Sequence, residues 1–159
     1  MGRVDQKIAI VTGGGNGIGR AIAERLAAEG AIVTVTDQNP AAGKAVADAV
    51  DTIQFLEHDV RIEADWAKVM DNVLQKHGRL DILINNAGIL ATESSQDVES
   101  TSLNQWQAVN AVNSEGVFLG CQHGIEAMKA TGGSIVNLSS IACLLYTSPS
   151  PRDGLLARM

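Results

Sequence analysis

Cysteine is scarce in this chain of 159 residues, which carries only Cys121 and Cys143. Two such residues make neither a disulfide scaffold nor a zinc-ligand spacing. The expectation is therefore two reduced thiols in a cytoplasmic protein, with no bound metal. Proline is almost missing before the C-terminal stretch: Pro40 stands alone, and Pro149 and Pro151 sit together near the end. No apolar run approaches the roughly 20 residues that a membrane-crossing helix needs. The N-terminal residues 1–7 are polar, and the apolar run after them is too short for a secretion signal. Basic residues are outnumbered, 12 Lys and Arg against 18 Asp and Glu, for a formal net charge of −6. That balance argues against a nucleic-acid grip, which wants a basic face. What the chain does have is 45% apolar residues and 16 glycines. A sequence of this length and composition is expected to form one domain with a real core.

Apolar spacing alternates between two periods along residues 1–142. Residues 7–12, 31–36, 53–58, 80–85 and 134–138 are short apolar or β-branched runs and read as strands. Between them, Ile18, Ile22 and Leu26 recur at helical spacing, and Gly30 reads as the C-cap that ends that helix. Residues 40–50 form an alanine-rich helix with Pro40 in its first turn. Trp66, Val69, Met70, Val73 and Leu74 make one apolar stripe, so residues 63–77 read as an amphipathic helix closed by Gly78. Residues 92–104 read as a polar loop. A helix follows over about 104–130, with an interruption expected near Asn110. Strand and helix alternate with short connections. This predicts an α/β fold of the Rossmann type, a doubly wound parallel sheet of about five strands with crossover helices on both faces.

The connection after the first strand reads Thr12-Gly13-Gly14-Gly15-Asn16-Gly17-Ile18-Gly19 and opens straight into a helix. A phosphate pair must approach backbone closely to meet a helix N-terminus. Side chains would block that approach, while free N–H groups and the helix dipole favour the anion. The strand-to-helix context is the one such a glycine loop requires. Asp37 closes the second strand, near the roughly 20-residue spacing at which a carboxylate accepts bonds from ribose hydroxyls. It would repel a 2′-phosphate. Gln38 and Asn39 follow it, and Asn16 stands inside the loop, so no basic side chain is at hand. These residues favour NAD over NADP.

Taken together, these segments resemble the short-chain dehydrogenase/reductase family. The loop has that family's Thr-Gly-x-x-x-Gly-x-Gly form. Asp59-Val60 follows the third strand, Asn85-Asn86-Ala87-Gly88 follows the fourth, Asn113 precedes Ser114-Glu115-Gly116-Val117-Phe118, and Gly133 to Ser140 reads Gly-Ser-Ile-Val-Asn-Leu-Ser-Ser. Within the family, His58-Asp59-Val60, Ala64-Asp65-Trp66 and residues 116–140 are similar to bacterial hydroxysteroid dehydrogenases. The resemblance implies that Gly13, Asn16, Gly17, Ile18 and Gly19 hold the pyrophosphate and ribose. It implies that Asp37 binds the adenine ribose, and that Asp59 and Val60 flank the adenine. Asn86, Ala87 and Gly88 would line the nicotinamide-side ribose and support the sheet. Ser140 would bond the substrate oxygen as charge develops on it. Asn113 would kink its helix and hold a water in a proton relay. The implied reaction is hydride transfer between NAD and a small secondary alcohol or ketone, in a protein expected to form a homo-oligomer.

That chemistry also needs a tyrosine, with a usual pKa of about 10, brought toward neutrality by a lysine one helical turn on. The only tyrosine is Tyr146, which comes too soon after Ser140. Ser150 stands four residues beyond it, and no lysine follows Lys129. No Tyr-x-x-x-Lys exists in the sequence. Residues 143–159 do not resemble the family and are similar to a translated sequencing adapter. They are expected to be disordered or artefactual, and the chain to be an incomplete piece whose last strands are missing and which is inactive by itself. Two other functions stay open: a non-catalytic nucleotide-binding or interaction protein, and an S-adenosylmethionine-dependent methyltransferase, against which Asn85 to Gly88 and the Ser139-Ser140 strand end both speak. One further pattern has two readings. Gly116, Gly120 and Gly124 share a helical face, which would pack either on the protein's own sheet or on a partner subunit.

Overall fold

A computed structural model of the chain describes residues 2–90 and 99–139. Within them five strands alternate with helices: β1 (Ile8–Thr12), α1 (Gly17–Ala28), β2 (Ile32–Asp37), α2 (Pro40–Ala49), β3 (Ile53–Glu57), α3 (Glu63–His77), β4 (Ile82–Asn85), α4 (Leu103–Asn110), a π-helical turn (Ala111–Glu115), α5 (Gly116–Met128) and β5 (Ser134–Asn137). All strand pairs are parallel, in the order β3-β2-β1-β4-β5. The doubly wound α/β reading holds. The order reverses at β1, which lies between β2 and β4, and such a reversal opens a crevice at the carboxyl ends of the strands.

Alternation along each strand feeds two separate cores. Ile8 and Ile10 of β1 join Trp66, Val69, Met70, Val73, Leu80 and Leu83 on the α3–α5 side. Ala9 and Val11 join Ala23, Val33, Val35 and Val46 on the α1–α2 side. Every residue of β1 is buried, as expected of a central strand covered on both faces. Among the described residues, no helix is long and apolar enough to cross a membrane.

Element ends follow local chemistry. Asn39 caps α2 by accepting hydrogen bonds from the N–H groups of Ala41 and Ala42, and Ser102 starts α4 through a capping box with Gln105. Gly78 closes α3 in the left-handed conformation. The fourth strand begins at Ile82 rather than at residue 80. Asp81 is occupied at the strand's foot, where its carboxylate accepts bonds from the Ile8 N–H at 2.9 Å and from Lys7 and Arg79. The interruption expected near Asn110 is the π-helical turn that begins one residue later.

The glycine stripe of α5 faces the protein's own sheet. A Cβ at Gly116 would press on Val60, one at Gly120 on Asn85 and Trp66, and one at Gly124 on Leu83 and Ile135. Of the two readings, packing on the sheet is the observed one, and the stripe is not a surface offered to a partner.

Candidate functional site

The crevice at the switch point is an open cavity of about 410 Å³. Its walls are the ends of four strands and the turns that leave them. From β1 come Gly13, Asn16, Ile18 and Gly19, from β2 Asp37 and Gln38, from β3 His58, Asp59 and Val60, and from β4 Asn86, Ala87, Gly88 and Ile89. Val112 reaches in from the π-helical turn. Most of the residues singled out in the sequence therefore meet in one place. Gly17 and Asn113 stand outside the lining, and Ser140 lies outside the described residues.

Glycine is required at defined points of the loop. Gly13 has φ +62° and Gly17 has φ +51°, a region that side chains rarely adopt. A Cβ on Gly13 would stand 2.9 Å from the Ala87 Cα, and one on Gly19 would collide with the Gly13 carbonyl oxygen. The loop is thus drawn tight against β4, leaving its open side to the cavity. Asn16 occupies the N-cap of α1 in an extended conformation and makes no side-chain bond to the helix. No side chain of the cap competes with an anion for the first amides of α1.

A latch fixes the two halves of the cleft. The Thr12 hydroxyl donates to the Ile84 carbonyl at 3.3 Å and accepts from the N–H groups of Asn86 and Ala87, each at 3.0 Å. The Asn86 amide returns the contact, donating to the carbonyls of Thr12 at 2.8 Å and Gly13 at 3.2 Å. Asn86 therefore positions the glycine loop as well as lining the cavity.

Asp37 stands at the rim with a fixed carboxylate. One oxygen accepts from the Gly15 N–H at 3.0 Å and the other from the Asn39 N–H at 2.9 Å. An ionised carboxylate has about four acceptor sites, so each oxygen retains capacity for a hydroxyl. At the third strand, the Arg61 side chain grips Asp59 and holds its carboxyl below the usual range, against a smaller opposing effect of burial.

His58, beneath the rim, escaped the sequence analysis as a site residue. It is buried, its Nδ1 shares a hydrogen bond with the Thr36 hydroxyl at 3.0 Å, and its Nε2 has no partner. The Trp66 ring meets it edge-on with centroids 4.4 Å apart, and the Trp66 Nε1–H donates to the Val60 carbonyl at 2.9 Å. Burial pushes the imidazole down to about 4, against the pull of Asp65 and Asp59 and with a small push from His123 in the same direction. The signal available in sequence was only a histidine just before Asp59. Asn113 uses its amide on backbone: Nδ2 donates to the Ile89 carbonyl and Oδ1 accepts from the Ile89 N–H, both at 2.9 Å. It tethers the turn after Gly88 to the π-helical segment.

Comparison with known proteins gives a consistent result. The family model described as short chain dehydrogenase matches residues 7–150. The chain is 44% identical over 144 residues to 3-beta-hydroxysteroid dehydrogenase of Comamonas testosteroni, covering 90% of this chain and 56% of that protein. It is 41% identical over 144 residues to an NADP-dependent (R)-specific alcohol dehydrogenase of Lentilactobacillus kefiri, covering 87% and 56%. A cyclopentanol dehydrogenase of Comamonas is 43% identical over 146 residues, covering 89% and 57%. The chain spans about half the length of the curated relatives it matches.

Proposed function

We propose, for a chain that belongs to the short-chain dehydrogenase family, that its cleft holds NAD in preference to NADP. The whole protein is, in this reading, an oxidoreductase acting on the CH–OH group of a secondary alcohol or on the matching ketone. The observation that carries the cofactor preference is the Asp37 carboxylate, pinned at the rim by Gly15 and Asn39 with Gln38 beside it. A 2′-phosphate would meet a negative charge there, and the described residues that line the cleft include no lysine or arginine. One relative is named as NADP-dependent, so the family alone does not decide the matter, and Asp37 is the feature that supports NAD in this proposal. The double variant Asp37→Ala/Gln38→Arg is expected to lower affinity for NAD relative to NADP by at least about tenfold, or about 1.4 kcal/mol. Titration of both dinucleotides against both proteins checks it, and an unchanged ratio removes Asp37 from the role.

The residues divide the work of holding the dinucleotide. Gly13, Gly17 and Gly19 let the pyrophosphate reach the uncapped end of α1, with Asn16 and Ile18 beside it. Asp59 and Val60 flank the adenine, and Ala87 and Gly88 take the nicotinamide-side ribose. When bound, the dinucleotide supplies the hydride acceptor or donor. Ser140 bonds the substrate oxygen in this proposal, and Asn113 fixes the bend of its helix beside a relay water. The small-molecule substrate follows the chemistry named for the relatives, which are alcohol, steroid and cyclopentanol dehydrogenases.

The sequence has no Tyr-x-x-x-Lys pair. The proposal assigns proton transfer to the part of the whole protein that this chain does not contain, with residues 1–142 as a partial dinucleotide-binding domain and 143–159 foreign to it. The second reading is a non-catalytic nucleotide-binding remnant, favoured by that missing pair. Incubation of the 159-residue chain with NAD and secondary alcohols is expected to give no NADH absorbance above the background. Turnover would overturn the assignment of proton transfer to absent residues. A read of the source gene past the codon for Ala142 separates the two functions, since a frame continuing into Tyr-x-x-x-Lys supports the dehydrogenase.

A homo-oligomeric parent remains part of the proposal. Trp106 of α4 and Phe118 and Ile125 of α5 are exposed, and exposed large apolar side chains of that kind suit a subunit contact. A cytoplasmic location is part of the same proposal, supported by a free Cys121 in a sequence with only two cysteines.

A further inference from the structure

One glycine of the loop after β1 is explained neither by its backbone nor by the cavity. Gly15 lacks the left-handed dihedrals of Gly13 and Gly17, and it does not line the cleft. It is buried between the end of β2 and the first turn of α2. A Cβ there would stand 2.8 Å from Asp37 Oδ2, 3.1 Å from Asp37 Cγ and 3.0 Å from the Ala42 Cβ. The Gly15 N–H donates to that same Oδ2 at 3.0 Å. The space that a side chain would need is therefore filled by the Asp37 carboxylate.

What would yield to a side chain at position 15 follows from how each neighbour is held. The loop is clasped to β2 by the Gly14 N–H, which donates to the Thr36 carbonyl at 3.1 Å. Ala42 belongs to a helical turn fixed by Asn39, whose side chain accepts from the Ala41 and Ala42 N–H groups. The carboxylate is the far end of a rotatable side chain whose terminal torsion is broad. Added bulk is therefore relieved by swinging Asp37 out of place, which breaks its bond to Gly15 and re-aims both oxygens. The fold loses little, while the rim of the cleft loses its fixed acceptor.

We propose that Gly15 is a positioning residue for cofactor choice: by leaving room for the Asp37 carboxylate and donating to it, it sets how strongly the cleft favours NAD over NADP. This rests on the reading of Asp37 as the acceptor for the adenine ribose. A pair of adjacent hydroxyls is read by oxygens held in fixed positions, and displacing the carboxylate forfeits charge-assisted bonds. A 2′-phosphate gains nothing from that carboxylate and is repelled less once it turns away. Bulk at position 15 therefore weakens NAD more than NADP. A glycine present only to let the loop bend would act on the pyrophosphate, which both dinucleotides share, and would leave their ratio unchanged.

The experiment is calorimetric titration of NAD and of NADP against the 159-residue chain. It compares the wild type with Gly15→Ala and Gly15→Val, each alone and combined with Asp37→Ala. Gly15→Val is expected to lower the NAD:NADP affinity ratio by about tenfold and Gly15→Ala by less. Neither is expected to change the ratio once residue 37 carries no carboxylate. An unchanged ratio in Gly15→Val, or equal weakening of both dinucleotides, overturns the role of Gly15 and leaves Asp37 and the NAD preference standing. An equal fall in the Asp37→Ala background means that the effect does not pass through the carboxylate, and overturns the role as well. Circular dichroism accompanies each variant, and if Gly15→Val is unfolded, Gly15→Ala decides by the same criteria. A wild type that binds neither dinucleotide, or both equally, removes the reading of Asp37 on which the inference rests.

Discussion

Trp66→Ala is expected to destabilise the chain by about 3–5 kcal/mol, the range for truncating a fully buried aromatic side chain. Trp66 is the largest of the completely buried side chains. It joins α3 to the sheet, packs under Gly120 of α5 and meets His58 edge-on. Its indole N–H also satisfies the Val60 carbonyl, which would be left without that donor. A domain of this kind has only about 5–15 kcal/mol to lose, so the variant is expected to be partly unfolded at 37 °C. Urea unfolding followed by circular dichroism measures it. Because Val60 lines the cleft, the folded fraction of the variant is also expected to hold nucleotide less tightly. A loss below about 1.5 kcal/mol would mean that the surroundings collapse into the gap, and that the indole is filler and not a keystone.

Acid is expected to destabilise the fold through His58. The unfolded side chain takes up a proton near its ordinary value of 6.5, whereas the folded one resists until about 4. Between those values the unfolded state binds more protons, so stability falls as pH drops through that window and the contribution is flat below it. The cause lies in the surroundings. Charging the ring places a second N–H on a buried nitrogen, and Nε2 has no acceptor, while Asp65 and Asp59 offset only part of that cost. At about 1.4 kcal/mol for each unit of difference, His58 alone accounts for about 3 kcal/mol between neutral pH and pH 4. Unfolding free energies measured across this range should fall by about 3 kcal/mol more for the wild type than for His58→Leu as pH drops from 7 to 4. Parallel curves would assign the acid sensitivity to other groups.

How much of this was legible in the sequence depends on distance along the chain. The glycine loop, Asp37 and the Asn85–Gly88 turn could be read because each is a contiguous segment whose strand-to-helix or strand-to-turn context is set by its neighbours. The five strands could be read because a doubly covered parallel sheet makes them apolar throughout. What could not be read depends on pairs brought together by folding. The contact of the Asn86 amide with the Thr12 and Gly13 carbonyls is one such pair. The Asp81 carboxylate that shortens β4 at its start is another. The side on which the glycines of α5 pack was undecided in sequence, because helical spacing gives a face but not what the face meets. His58 and Arg61 were passed over for a different reason. A histidine or arginine beside a strand end has no pattern of its own, and its role follows from one ring buried against Trp66 and one guanidinium folded back on Asp59.

The Thr12–Asn86 latch bears on the order of folding. Its partners lie 74 residues apart in the chain, and closing loops of that length before any contact rewards them is the slow part of building a parallel sheet. The glycine loop has the right residues from the start, yet it acquires its cradle shape only when β4 has docked beside β1. A collapsed intermediate with β1, β2 and β3 assembled would contain every local motif of the nucleotide site and still present no second wall. Nucleotide added during refolding is therefore expected to stabilise the finished sheet by mass action without accelerating the steps that precede the docking of β4.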